Sequence, residues 1–517
     1  MPEGKGKGSA VRKLGVSTAK GTLIYLAGNM IGSLAILLLL AILARLLSPA
    51  AFGLYAIAIA FYTILTGHFT FGVILRKEVP GMTEREKIRE LMGGAYAVAL
   101  IVGLAIAMAA VLLSGPIATY IYHDASFAPS LMLAGALVFL YTFFNLMLAS
   151  LVAMGRVKYG TIIYLSYAFI QLVASTALVL MGYGVFGAIA GLGAGLLVPS
   201  LLGLYWVVRH AGRPSKPSRE TMRHVVGFTS PLIASSIANQ APPNLAILLL
   251  GVFATTTVVG NYNAAFKFGN FVNVILLAVS YVLLPAFSRS FTDKRLSSKI
   301  GKIYNSSIYY TLLLLLPVVV YAVSVSQPLV LALFSSEYTM APLYFALIAI
   351  GTTVGMLNTY ASNLQIGYGD TRRFMKYQLA AALIQVALLG ALVPYLGAIG
   401  AILALFIVSQ IAINFLYIWA LDRQFSLRHS FGGPARLAAA SAVLLALLYG
   451  VTLLLQGSYW AILTNIVITV ALFPPLAALF GAVRKWNLDF VNEVAHEIRL
   501  GKLGDYITGY AALFVKA

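Results

Sequence analysis

The sequence has no cysteine, which excludes disulfides, thiol nucleophiles and cysteine-held metals. Charge is scarce, 10% of 517 residues, where a soluble domain carries about 25%. Acidic residues are the scarcest, fifteen Asp and Glu against thirty-five Lys and Arg. All fifteen fall in tails, loops or the edges of apolar runs. The chain therefore lacks the deep membrane carboxylate with which a cation-coupled exporter binds its proton or sodium. It also lacks the sizeable charged outer region of a membrane glycosyltransferase, polymerase or ligase. No Gly-Lys-Ser/Thr phosphate loop occurs, so the chain itself is not expected to hydrolyse ATP. No His/Asp/Glu set has metal-ligand spacing. Neither cofactor nor metal nor enzymatic activity is expected.

What fills the chain is apolar: 61% of residues are hydrophobic, and the mean hydropathy is +0.92. Long apolar runs recur from end to end, which reads as an all-α polytopic membrane protein. A membrane β-barrel would show short alternating segments instead. Fourteen transmembrane spans are expected, near 22–47, 52–75, 91–114, 128–154, 159–181, 185–208, 225–250, 259–286, 304–325, 341–366, 374–394, 399–421, 435–455 and 459–482. The first apolar run is too long for a signal peptide and reads as an anchor.

The stretch Ala44 to Arg76 sets the pattern. A Ser48-Pro49 turn follows the first span, and Pro at a first helical position starts the next helix well. About 23 residues, Phe52 to Leu75, then run without a fixed charge, roughly 34 Å of helix and enough to cross a bilayer. Lys and Arg alternate cleanly by loop. The N-terminal tail, the loops after the even-numbered spans and the C-terminal tail hold 33 of the 35, and the loops after spans three, five, seven, nine, eleven and thirteen hold none. The positive-inside rule then makes both termini cytoplasmic, in a multi-pass protein of the cell membrane. The two exceptions are Arg45, at the outer end of span one, and Lys267, inside span eight.

The expected organisation is a basic tail (1–21), an N-lobe (22–208), a cytoplasmic linker rich in Pro and Ser (209–224), a C-lobe (225–421), two further spans (435–482) and a tail (483–517). Residues 486–500 have amphipathic helical spacing and read as an interfacial helix. The lobes look like repeats. Gly53-Leu54-Tyr55 is echoed by Gly260-Asn261-Tyr262, Gly155 and Gln171 by Gly369 and Gln385, and Gly187-Ala188-Ile189 by Gly397-Ala398-Ile399. Six crossings separate the copies, so they face the same way, and such parallel repeats hold a substrate site between them.

The run A-R-L-L-S-P-A-A-F-G-L-Y-A, closing in F-G-V-I-L-R, resembles the opening signature of the polysaccharide and lipid-linked oligosaccharide flippases of the multidrug/oligosaccharidyl-lipid/polysaccharide exporter superfamily. V-G-N-Y-N-A-A-F-K-F with L-L-P-A-F-S-R resembles the second-half signature, and L-Q-I-G-Y-G-D-T-R-R the segment after span ten. The resemblance covers about residues 20 to 420. It implies two six-helix lobes and alternating access. Fourteen spans also resemble the lipid II flippase, whose last two helices border a groove for a lipid tail. One departure stands out: family members often carry an acid just before the glycine matching Gly72, where this chain has His68-Phe69-Thr70-Phe71.

An ionisable residue inside a bilayer is expensive and marks a functional site by default. Lys267 lies about eight residues into span eight, roughly 12 Å from its outer end, flanked by Asn263, Asn270 and Asn273. It either faces a cavity or snorkels outward. Arg45 either meets substrate or caps the carbonyls of span one. Arg76 either greets an anionic headgroup or anchors the cytoplasmic side, and His68 either faces a cavity or packs. In span seven, Pro242 and Pro243 each remove a donor; the segment Asn239-Gln240-Ala241-Pro242-Pro243-Asn244 reads as a discontinuous helix lined by Asn239, Gln240 and Asn244, or else as a packing kink. Asn29, Asn358, Asn363 and Gln365 are weaker candidates. Gly187, Gly191 and Gly195 read as a helix-packing face.

The reading that remains is a monomeric flippase moving an anionic lipid-linked oligosaccharide or polysaccharide precursor, on a polyprenyl or dolichyl (pyro)phosphate, to the outer leaflet. Its partners are that substrate and membrane lipids, with no nucleic acid. A drug exporter of the same superfamily and a membrane glycosyltransferase or polymerase are the alternatives, and the missing carboxylates and outer domain argue against each.

Overall fold

The computed structural model describes residues 25, 27–67, 70–269, 271–292, 300–425, 427 and 430–483, with isolated positions 492, 505, 508–510 and 512–514. Every regular element among them is helical. Contacts divide the chain into two compact units, 1–260 and 261–517.

In the first unit, α1 (Ala27–Leu46) leads into the Ser48-Pro49 turn. The Ser48 side chain accepts the Ala51 N–H at 3.3 Å, and Pro49 takes the first turn of α2 (Pro49–Thr66). Such a cap contributes about 1 kcal/mol. Next come α3 (Gly72–Glu78), α4 (Arg85–Pro116), α5 (Ala128–Ala153), α6 (Val157–Leu178), α7 (Gly184–Ala211), α8 (Arg219–Phe253) and α9 (Thr256–Gly269). The last of these runs across the division between the units.

The run Val157–Ala211 is 55 residues long, which as one straight helix would reach about 82 Å. It is folded back instead. Gly184 takes φ 51°, ψ −132°, a conformation open essentially to glycine alone. Ser175 Oγ then donates to Ala188 O at 2.9 Å. A Cβ on Gly191 would lie 2.2 Å from Ser175 Oγ, and one on Gly195 would lie 2.8 Å from Gln171 Cβ. The small residues let α6 and α7 touch, so the packing face expected from their spacing is present.

The second unit holds α10 (Phe271–Thr292), α11 (Ile300–Ser324), α12 (Ser326–Leu333), α13 (Ala341–Val354), α14 (Met356–Tyr368), α15 (Thr371–Ile402), α16 (Val408–Phe425), α17 (Gly432–Leu454) and α18 (Trp460–Leu479). Its run Arg372–Phe425 is 54 residues long and turns at Gly397 (φ 54°, ψ −131°). Gln385 Nε2 reaches across that turn to Leu405 O at 3.4 Å. The conformational twin of Gly184 is thus Gly397, 213 residues on. Gly155 (φ 71°) and Gly369 (φ 90°) stand 214 apart in the same left-handed region. The sequence match of Gly187 with Gly397 was three residues out of register with this pair.

Eleven helices among the described residues are long and apolar enough to cross a membrane, two of them being the folded runs just described. This is a multi-pass helical membrane protein. Expected span eight is described as α9 and α10 on the two sides of Asn270, which itself lies outside the described residues; the count of fourteen is taken up below. The basic tail 1–21 and the amphipathic segment 486–500 also fall outside, apart from Asn492.

One expectation about helix continuity is reversed, and one open alternative is decided. Span two is not one helix: α2 ends at Thr66, and α3 begins at Gly72. Span seven, which its prolines left open as a discontinuous helix or a packing kink, is not discontinuous: it runs unbroken as the 35-residue α8 through Pro231, Pro242 and Pro243. Each proline removes a single N–H, and the rest of the ladder, strong in an apolar medium, holds the helix together.

Candidate functional site

The break in span two faces α8. The Gly67 N–H closes α2 on Thr63 O at 2.8 Å. Its carbonyl has no partner within α2, as is usual at a helix C-terminus. Ser236 Oγ donates to it, and Gln240 Nε2 donates to it at 3.3 Å and to Ser236 Oγ at 3.2 Å. A Cβ on Gly67 would meet the Gln240 amide at 3.0 Å, so a larger residue there would push that amide back by a few tenths of an ångström. Gln240 is therefore at a discontinuous helix, but the discontinuity belongs to its neighbour. Asn239 and Asn244 bond their own helix, Nδ2 to Ser235 O at 2.9 Å and to Gln240 O at 2.8 Å. His68 lies beyond the described residues.

Arg76 is exposed near the end of α3. Its neighbours tie that end to α8: Lys77 Nζ lies 4.3 Å from the Phe228 ring centroid, and Glu78 meets His224 Nε2 at 3.0 Å. Arg45 is exposed in the last turn of α1, and Asn29 is half-buried near its start.

In the second unit, Lys267 is half-buried near the end of α9, its Nζ 5.7 Å from the Phe266 ring centroid. Among the described residues no carboxylate comes within ion-pair distance of it. Asn263 is buried and Asn273 exposed, and Asn270 lies outside the described residues. Asn261, which sequence reading passed over, accepts the N–H groups of Met340 and Ala341 at 3.1 and 3.0 Å and so caps α13. Nothing local signals such a partner 80 residues away. Among the weaker candidates, Asn363 donates to Ser280 Oγ at 3.0 Å, and Gln365 is wholly buried.

The same unit carries an apolar groove of about 570 Å³ between α11 and α18, lined by Leu313, Pro317, Tyr321, Ile466, Val470 and Phe473 among others. Among the described residues, no three His, Cys, Asp or Glu gather closely enough to hold a metal ion.

The first unit thus offers a broken helix held by amide and hydroxyl groups, and the second a half-buried lysine and an apolar groove. A family model described as "Polysaccharide biosynthesis protein" matches residues 42–342. The chain belongs to this polysaccharide biosynthesis protein family. The succinoglycan biosynthesis transport protein ExoT of Rhizobium meliloti (strain 1021) is 26% identical over 314 residues, 60% of this chain and 61% of that protein. The chain thus spans about three-fifths of that relative's length. Among solved structures, the lipid II flippase MurJ in an inward closed conformation superposes with TM-score 0.71 at 13% identity, over 89% of this chain and 98% of that one. An inward-facing multidrug resistance MATE family transporter of the MOP superfamily gives 0.66 at 16%, over 78% and 98%. At such identities the likeness is one of fold, and the fold of this family member is that of the superfamily named from its motifs.

Proposed function

We propose that this family member is a flippase that moves an anionic lipid-linked oligosaccharide or polysaccharide precursor from the cytoplasmic to the outer leaflet by alternating access. The carrier is a polyprenyl or dolichyl (pyro)phosphate. The protein acts as a monomeric transporter rather than an enzyme, with fourteen crossings, lobes at 22–208 and 225–421, two added helices at 435–482 and both termini cytoplasmic. The family, its transport relative and the flippase fold support this reading.

The observation that carries it is Lys267. A half-buried cation in a membrane helix, with no acid beside it among the described residues, is expensive unless a ligand supplies the anion. A substrate phosphate does so, while Gln240 and the other amides suit sugar hydroxyls. Arg45 assists on the outer side, and Arg76 receives the headgroup on the inner side. The groove between α11 and α18 takes part of the lipid tail. Moving negative charge outward from an inside-negative face is downhill by about 2.3 kcal/mol per charge per 100 mV.

The test is complementation of a flippase-deficient strain at matched membrane levels. Lys267→Ala and Lys267→Gln are expected to abolish flipping, and Lys267→Arg to retain part of it, because charge and not hydrogen bonding is at issue. Full activity in Lys267→Ala would remove the central claim.

A further inference from the structure

Away from these residues, the first unit holds a cleft of its own. It occupies about 480 Å³ and is lined by Val79, Pro80, Met82, Arg85, Ile88, Val152, Ala153, Met154, Gly155, Arg156, His210 and Ala211. Three chain segments meet there: the turn between α3 and α4, the turn between α5 and α6, and the end of α7. Each supplies one basic side chain, and the lining contains no carboxylate.

The local backbone adds to the positive field. Arg85 is the first residue of α4. Arg156 is the N-cap of α6, and no side chain caps that helix start. Two helix N-termini thus meet at the cleft, each with unfilled N–H groups and a positive dipole end. Gly155, at φ 71°, makes the tight turn that presents Arg156. His210 holds its Nδ1 on Trp206 O at 2.8 Å and packs its ring on Tyr159, centroids 5.2 Å apart. That bond fixes the ring and leaves Nε2 as its remaining polar atom.

The acids nearby in sequence are committed elsewhere. Glu84 pairs with Lys87 at 3.0 Å, Glu78 with His224 at 3.0 Å, and Glu90 accepts from Ser218 N and Thr221 Oγ1 at 3.1 and 2.8 Å. Glu86, in the first turn of α4, is exposed and does not line the cleft. Among the described residues, neither Arg85 nor Arg156 meets a carboxylate. The rest of the lining is largely apolar, with Val79, Pro80, Met82, Ile88, Val152 and Met154. Basic and apolar groups lining one cleft match an amphiphile with a phosphate head.

We propose that this cleft binds a phosphate group at the cytoplasmic membrane surface, presented by an anionic lipid headgroup or as free phosphate. The inference rests on the cytoplasmic placement of these loops and not on the flippase reading. Arg85 and Arg156 clamp the phosphate oxygens from two sides, a task suited to the planar guanidinium. The His210 ring stands beside them in the lining, and the apolar part of the lining receives the start of the acyl chains.

Native mass spectrometry of the delipidated full chain in detergent, titrated with phosphatidylglycerol, tests this. First-equivalent binding to the Arg85→Ala/Arg156→Ala variant is expected to be about tenfold weaker, the worth of one lost charge-assisted contact or more. Arg85→Lys/Arg156→Lys retains the charge and is expected to keep most of the binding, which separates a lost site from a lost fold. Arg372→Ala, an exposed cation of the second unit, leaves it unchanged. Loss of the phosphatidylglycerol adduct on adding inorganic phosphate identifies free phosphate as a ligand; retention identifies the lipid. Equal binding by the wild type and the alanine pair, or equal binding of phosphatidylcholine and phosphatidylglycerol by the wild type, overturns the proposal.

Discussion

Asn465 illustrates what one polar residue does in an apolar setting. It is wholly buried, and the two N–H groups of its amide are shared among Ser324 Oγ at 3.2 Å, Leu448 O at 3.1 Å and Thr452 Oγ1 at 2.8 Å. Thr452 Oγ1 in turn donates to Ser324 O at 3.0 Å. This knot joins α11, α17 and α18, and so fixes the last two helices to the second unit. Between helices in a membrane there is little hydrophobic drive, so packing and such bonds carry the association. Asn465→Leu keeps the volume and removes the donor. It is expected to cost about 1–2 kcal/mol, read as a lower unfolding midpoint of the purified protein, and an unmoved midpoint would deny the knot any role. Residues of this kind are poorly legible in sequence. Lys267 could be singled out because a charge inside an apolar run is conspicuous. Asn261 could not, because an amide capping a helix 80 residues away leaves no local pattern.

At the scale of elements, hydropathy located the helices well and their interruptions badly. Span two is apolar throughout, and nothing in its periodicity distinguishes a helix that continues past Gly67 from one that stops. The prolines of span seven gave the opposite impression, yet α8 is continuous. A break in a membrane needs outside donors more than it needs a helix-breaking residue, and Ser236 and Gln240 are those donors. Removing both, as Ser236→Ala/Gln240→Ala, is expected to leave the Gly67 carbonyl unsatisfied at a cost of about 1–3 kcal/mol. Ser236→Ala alone should cost less, since Gln240 still reaches the same oxygen. Unfolding midpoints of the three proteins check this, and a double variant as stable as the wild type would show that the bonds are incidental.

At the scale of the whole molecule, the alternation of basic loops assigned sides to the membrane before any contact was known. The first unit brings three of the loops assigned to one side together. Arg89 Nε donates to Arg213 O at 2.6 Å, Ser215 N donates to Arg89 O at 3.1 Å, and Arg156 and His210 line one cleft. Loops on opposite faces of a bilayer could not meet in this way. The absolute orientation follows from labelling. The cysteine-free chain gives a clean background, and Lys216→Cys is exposed. In sealed cells it is expected to react only with a membrane-permeant thiol reagent; labelling by an impermeant one would invert the topology. Fold class, the general placement of spans and the repeat were legible because each rests on composition or spacing. The grouping of side chains into a cleft was not, because it depends on where helix ends converge.

The repeat leaves one contact with a consequence for inheritance. Gly53 and Gly260, matched by the sequence repeat, pack on one another's helices. A Cβ on Gly53 would lie 1.9 Å from Thr256 O, and one on Gly260 would lie 2.0 Å from Pro49 O. In each case the obstacle is backbone, which no substitution can shrink, and the partner position already carries the smallest residue there is. A mutation at either glycine therefore has no compensating allele at the other. The pair cannot drift by exchange of large and small, as ordinary packed pairs do, and any suppressor must lie elsewhere in the gene, where it moves a helix rather than trims a side chain.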